Sequence, residues 1–175
     1  MYLTIIWIAT SASIRLWSDQ GHQSRNINKL EGKILATPNL IECDKLEAAY
    51  VDAIRDGLRD YNQSKIGLPG GVPLVIAAED PESGTIVGGL IGSTVHAVLY
   101  VEQLFIDDAH RGTGLGARVL AAGEEAARRR GCRTAVLWTA TFQAPAFYER
   151  RGWEAFGEVD CAPSGEKVIF LRRCL

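Results

Sequence analysis

Apolar and polar positions along this chain change their period from segment to segment, and each period predicts an element. Residues 34–43 read as a first strand. Asp44 is placed to cap a helix in which Leu46, Ala49, Tyr50, Ala53, Ile54 and Leu58 recur at helical spacing. That helix fades through residues 61–64 into the breaker cluster Gly67-Leu68-Pro69-Gly70-Gly71. Two apolar runs, residues 73–78 and 85–91, follow as strands, joined by Glu79-Asp80-Pro81-Glu82-Ser83-Gly84, a turn signal by its Pro and Gly. Residues 97–106 form a further strand rich in β-branched and aromatic side chains. Leu115, Val119, Ala122 and Ala126 then mark one face of a helix, with Glu124–Arg128 and Glu125–Arg129 as i,i+4 pairs on its solvent side and Gly131 as its stop. Residues 134–139 are a strand, 145–151 a short helix opened by Pro145 and ended by Gly152, and 153–159 and 167–172 two closing strands. The order is β-α-β-β-β-α-β-α-β-β, which predicts one sheet with helices packed on its faces.

Composition narrows the picture little. The chain has 175 residues, 47% hydrophobic and 23% charged, with a formal net charge of −2, as in an ordinary globular domain. That charge supplies no global field for nucleic acid or an anionic membrane, and the Arg128-Arg129-Arg130 run reads as a solvated helix face. Cys43, Cys132, Cys161 and Cys174 are scattered without a C-x-x-C pair, so they read as reduced thiols of a cytoplasmic protein, with no metal site expected. Residues 1–9 are apolar but lack a preceding Lys or Arg and are too short to span a bilayer. The stretch 18–32 is polar and patternless, which makes residues 1–33 an expected poorly ordered extension and 34–175 the working domain.

The chemistry is concentrated after the third predicted strand. In Arg111-Gly112-Thr113-Gly114-Leu115-Gly116 three glycines alternate at the start of a helix. A helix N-terminus leaves backbone N–H groups unpaired and carries partial positive charge, while glycines let the backbone approach a bulky anion. Arg111 adds a cation at the rim. The pattern is a phosphate cradle. Its G-x-G-x-G spacing and late position exclude a dinucleotide fingerprint, and Ala117-Arg118 after Gly116 excludes a P-loop.

Two motifs in register sharpen this. Leu104-Phe105-Ile106-Asp107 followed by Arg111-x-x-Gly114-x-Gly116 resembles the acetyl-CoA-binding motif of the GNAT N-acetyltransferase superfamily, and Ala144-x-x-x-Tyr148-x-x-x-Gly152-Trp153 is similar to that family's A-x-x-x-Y-x-x-x-G-[FY] helix. The resemblance implies an α/β (α+β) GNAT fold: one mixed, mostly antiparallel sheet of six or seven strands, helices on both faces, and a splayed strand pair at the cofactor site. It implies acetyl-CoA as co-substrate and direct attack of a primary amine on the thioester in a ternary complex. Leu104, Phe105 and Ile106 would meet the pantetheine arm, and Arg111, Gly112, Thr113, Gly114, Leu115, Gly116 and Ala117 the pyrophosphate. Phe147 borders the cleft. Where the family often has Asn this chain has Thr141, so Thr141 or Gln143 would replace that contact to the arm.

By the same resemblance Tyr148 protonates the departing thiolate, a plausible transfer for a phenol only in an oriented site. The attacking amine must lose a proton, and Glu102 is the candidate base because it precedes Leu104 by two residues on the strand, with His96 in reserve. Trp138 and Phe142 read as core aromatics. The acceptor is an amine on a small molecule or peptide, and Asp52, Asp56, Asp60 and Glu102 would attract a cationic one. Homodimerisation is common in the family. Two competing readings are a non-catalytic acyl-CoA-binding or regulatory module, against which Tyr148 argues, and a nucleotide-binding redox domain.

Overall fold

The computed structural model describes residues 37–67, 70–163 and 165–175, and the chain divides after Ile54 into two units. Residues 37–43 of the expected first strand form no strand, and 34–36 lie outside the described residues, as does the expected extension of residues 1–33. Leu40 and Ile41 are 99% and 67% exposed, and a lone extended segment gains nothing without a partner strand. Helix α1 (Ala48–Ile66) starts four residues after Asp44, with Val51 N–H donating to Glu47 O, and it runs past the expected fade to Ile66. None of its residues is buried, so its apolar spacing is exposed at Tyr50, Ile54 and Leu58.

The second unit holds the sheet. Strands β1 (Val72–Glu79), β2 (Ile86–Val95) and β3 (Val98–Ile106) form an antiparallel meander. The β1–β2 turn is built on Asp80, whose Oδ1 accepts from Ser83 N at 2.8 Å and Glu82 N at 3.1 Å, while Gly84 takes φ 71°. The Ser83 N–H bond, with its hydroxyl, holds the Asp80 carboxyl below its ordinary pKa. The β2–β3 turn is the dipeptide His96-Ala97, both at positive φ. That geometry favours Asn-Gly, which is why the sequence carries no turn signal there.

Strands β4 (Thr134–Ala140), β5 (Glu154–Cys161) and β6 (Glu166–Cys174) complete a six-stranded sheet in the order β1-β2-β3-β4-β6-β5. All neighbours are antiparallel except β3 and β4, as the mixed, mostly antiparallel expectation requires. Helix α2 (Leu115–Arg129) links β3 to β4, and helix α3 (Pro145–Glu149) links β4 to β5.

One core joins these elements. Leu74, Leu90, Leu99, Val101, Val119, Leu120, Leu137, Tyr148, Trp153 and Leu171 pack together in it. Gly123 lets α2 approach the sheet, since a Cβ there would sit 3.0 Å from Leu90 Cδ1. Two expectations for α2 need correction. Its buried stripe includes Leu120, Gly123 and Ala127, and Ala122 is exposed. Glu124 is on that stripe, 3% exposed, not on the solvent side; its carboxylate is held by Arg173 Nη1, 3.0 Å from each oxygen, and by Trp153 Nε1 at 3.1 Å. A charge is tolerated there because its acceptors are filled.

Candidate active site

The parallel β3–β4 pairing is short. It registers only Val98 with Thr134, Leu99 with Ala135 and Tyr100 with Val136, after which the two strands share no pairs. Residues 101–106 of β3 therefore border a wedge that opens toward the C-terminal ends of both strands. Asp107 N donates to Val87 O at 2.9 Å, so by strand alternation the Phe105 backbone also turns to β2. The backbone groups of Leu104 and Ile106 then face the wedge. The Phe105 ring lies exposed on the sheet surface, at 60%.

At the mouth of the wedge the chain makes a short 3₁₀ turn, Asp108–His110, and enters the glycine-rich segment. Gly112 and Gly114 have φ of 75° and 86°, and the space where their Cβ atoms would lie is empty to 4 Å. Both positions therefore need glycine for backbone conformation and leave room for a ligand. Gly114 is the N-cap of α2 and offers no side-chain cap. Among the described residues the N–H groups of Gly116 and Ala117 have no protein acceptor, and Leu115 N reaches only Thr113 Oγ1 at 3.4 Å. Gly116 serves packing instead: a Cβ there would lie 3.4 Å from the Phe147 ring and 3.5 Å from Ile106 Cγ1. Arg111 does more than supply charge. Its Nε donates to Ile106 O at 3.0 Å and its Nη1 pairs with Asp108 at 2.7 Å, so its cation is partly neutralised and braces the strand end.

On α3, Tyr148 is 8% exposed and packs edge-on against Phe147 and Trp153, ring centroids 4.9 and 5.9 Å away. Burial raises the phenol above its ordinary pKa, so it keeps its proton through neutral pH. Among the described residues its hydroxyl has no hydrogen-bond partner, and the one sealed unpartnered side-chain atom is His110 Nδ1, so the phenol still meets solvent.

Glu102 sits elsewhere than the two-residue step implies. Ile91 registers with Gln103 and Gly92 with Val101, leaving Glu102 as the extra residue of a β-bulge. Its Oε1 accepts from Ser93 Oγ at 3.2 Å on the sheet face opposite α2, whereas Leu104 packs into the core. The carboxylate is exposed. His96 lies in the hairpin at the opposite end of β3 from the glycine turn, a strand length of roughly 25 Å away. Asp56 and Asp60 already pair with Arg59, at 2.8 and 3.6 Å.

Thr141 and Gln143 follow β4. The Thr141 hydroxyl pairs with Glu166 and accepts from Lys167 N at 3.0 Å, while Gln143 Oε1 accepts from Ala140 N at 2.9 Å and Thr139 Oγ1 at 3.1 Å. Both oxygens are thus used in closing the strand end, and the Gln143 amide N–H groups remain for a ligand. Residues 39–153 match the family described as the acetyltransferase (GNAT) family.

The chain belongs to the GNAT acetyltransferase family.

It is 35% identical over 135 residues to the acetyltransferase Atu2258 of Agrobacterium fabrum, covering 77% of this chain and 98% of that one. It is 39% identical over 85 residues to the blasticidin-S acetyltransferase of Streptomyces morookaense, covering 48% of this chain and 62% of that one. Among solved structures it is similar to an acetyltransferase from Bacillus cereus, with a TM-score of 0.64 and 27% identity over 77% of this chain and 98% of that one. The GNAT protein is therefore an N-acetyltransferase. No helix among the described residues is long and apolar enough to cross a membrane.

The sequence reading missed the bulge at Glu102 and the Glu124–Arg173–Trp153 cluster. A bulge inserts a residue without altering local composition, so no periodicity reveals it. Glu124 could have been found: it stands four residues after Leu120 and is flanked by the small residues Gly123 and Ala127 on the same face.

Proposed function

We propose that the protein transfers the acetyl group of acetyl-CoA to a primary amine, the amine attacking the thioester directly in a ternary complex. The observation that carries this reading is the wedge between β3 and β4, bordered by the N–H groups of Leu104 and Ile106 and ending at a glycine turn with unpaired N–H groups. The turn, with Gly112, Gly114, Gly116 and Ala117, is shaped for a pyrophosphate. The Leu104 and Ile106 groups suit the pantetheine amides, and one of them suits the oxyanion of the tetrahedral intermediate.

In this reading the amine nitrogen bonds to the acetyl carbon, the carbon–sulfur bond breaks, and Tyr148 gives its proton to the thiolate. The proton lost by the amine passes to Glu102 directly or through water, and its exposed position favours the water route. Phe105 and Phe142, 60% and 62% exposed, offer apolar surface to the acceptor. The blasticidin-S relative supports a small-molecule amine over a peptide. The four free cysteines, Cys43, Cys132, Cys161 and Cys174, support a reducing, cytoplasmic setting.

The test couples mass-spectrometric detection of acetylated product across an amine panel with calorimetry of acetyl-CoA. Acetylation of at least one amine with stoichiometric thiol release is expected. Tight acetyl-CoA binding with no product from any amine would overturn the proposal.

A further inference from the structure

The face of the sheet turned away from α2 carries a row of aromatic rings. In β4, Ala135, Leu137 and Thr139 are buried toward α2, so by alternation Val136 and Trp138 project to the open face. Trp138, which reads from its residue type as core, is 37% exposed. In β6, Leu171 lies in the core and Arg173 reaches Glu124 on α2, which puts Phe170 and Arg172 on the open face with Trp138. Trp138 registers directly with Phe170. The Phe156 ring of β5, 54% exposed, stands 6.2 Å from that of Phe170. Three rings thus run side by side from β4 to the sheet edge at β5.

The row begins at the wedge. Tyr100 and Val136 are the last paired residues of β3 and β4, and Glu102 and Trp138 each follow by two positions. Both side chains are on the open face, so the carboxylate and the indole stand on opposite banks of the wedge. A contiguous patch of exposed rings marks a ligand surface, and flat rings pair well with flat rings. Charge narrows the ligand further. Among the described residues Glu102 accepts from the Ser93 hydroxyl and has no cationic partner. Glu154, on the same face, is met by Arg172 at 4.0 Å, and Glu166 by the Thr141 hydroxyl. A second ammonium laid over Trp138, Phe170 and Phe156 would find no carboxylate in the row. We propose that the row is the acceptor's platform and that the acceptor is an arylalkylamine, its ammonium at Glu102 and its ring on Trp138 and Phe170, with Phe156 as the outer contact. This rests on the amine-acetylation reading above and narrows it to one class of amine.

Initial rates of the full chain at saturating acetyl-CoA test it, with phenethylamine and tryptamine set against hexylamine and spermidine. The aromatic pair is expected to exceed the other two in kcat/KM by about tenfold or more. W138A is expected to raise KM for tryptamine about tenfold with kcat within about twofold, and to move KM for hexylamine by less than twofold. W138F, which keeps a ring, is expected to retain most of the preference. F156A alters the exposed sheet edge and is expected to raise the tryptamine KM about threefold. Equal or higher kcat/KM for hexylamine or spermidine in the unaltered protein overturns the inference whether or not W138A folds, and leaves amine acetylation standing. So does a tryptamine KM unchanged in folded W138A, or a W138A loss of equal size for tryptamine and hexylamine. If no amine is acetylated, the amine reading itself fails, and this inference with it.

Discussion

Single side chains in this protein draw their roles from what surrounds them, and Tyr148 is the clearest case. Its hydroxyl has no protein partner among the described residues, and burial raises its pKa, so it stays a neutral acid across the range in which an acetyltransferase works. Y148F is expected to lower kcat by roughly a hundredfold and to leave KM for acetyl-CoA within about twofold, because in the proposed mechanism the lost group acts on the leaving thiolate alone. Steady-state kinetics with a fixed amine checks this; an unchanged kcat removes Tyr148 from the mechanism. The raised pKa also has a stability consequence. The unfolded chain loses this proton first, near pH 10, so the contribution is intact below that value and fades as pH rises through the folded pKa. Glu102 carries the opposite test: E102Q is expected to flatten the acidic limb of the pH–rate profile, and a superimposable profile eliminates it as the base. Glu124 is structural. E124A strands Arg173 and the Trp153 indole, and a loss of about 3 kcal/mol in urea unfolding is expected.

Elements matter here chiefly where they depart from regularity. β3 is bulged at Glu102 opposite Gly92, and a Cβ on Gly92 would lie 2.2 Å from Tyr100 O. G92A therefore has to push two paired strands apart at the bulge, and a loss of about 2 kcal/mol or more is expected from thermal or urea unfolding. G157A in β5 is the contrast, since a Cβ there meets nothing closer than 4.0 Å; a change below about 1 kcal/mol is expected. Equal effects of the two substitutions would show that the bulge does not need its glycine. The bulge also carries a functional consequence. It turns Glu102 toward Ser93 and the exposed face while Leu104 stays in the core, so a base placed there works from the exposed face of the sheet and not from within the wedge.

At the scale of the whole molecule, the sheet, α2 and α3 belong to the unit Arg55–Leu175, and the family match begins at residue 39. Residues 1–33 are proposed to be dispensable for donor binding. Brief trypsin treatment of the full chain is expected to cut first at Arg15, Arg25 or Lys29, and the trimmed protein to bind acetyl-CoA with unchanged affinity by calorimetry. Resistance at those sites, or loss of binding on trimming, would assign the segment to the working domain.

Much of this architecture is local and therefore legible in one dimension. Hydrophobic period marked β1, β2, β3, β4, β5, β6 and α2 to within a few residues, because burial of one face imposes that period directly, while Pro145 and Gly152 marked α3. The glycines of the turn were legible too, since the φ of Gly112 and Gly114 excludes other residues wherever the chain goes next. What local pattern could not decide was pairing. A strand at residues 34–43 required a partner that the described residues do not provide, and α1 carries a helical stripe that no described side chain's burial uses. The splay of β3 from β4, the bulge that redirects Glu102, the burial of Glu124 and the alignment of Trp138 with Phe170 all depend on contacts between residues distant in sequence or on register. Sequence alone pointed to the family, the glycine turn and Tyr148 as the candidate acid; tertiary structure decided which backbone groups face the wedge and which charges are left free, because those follow from where strands stop pairing.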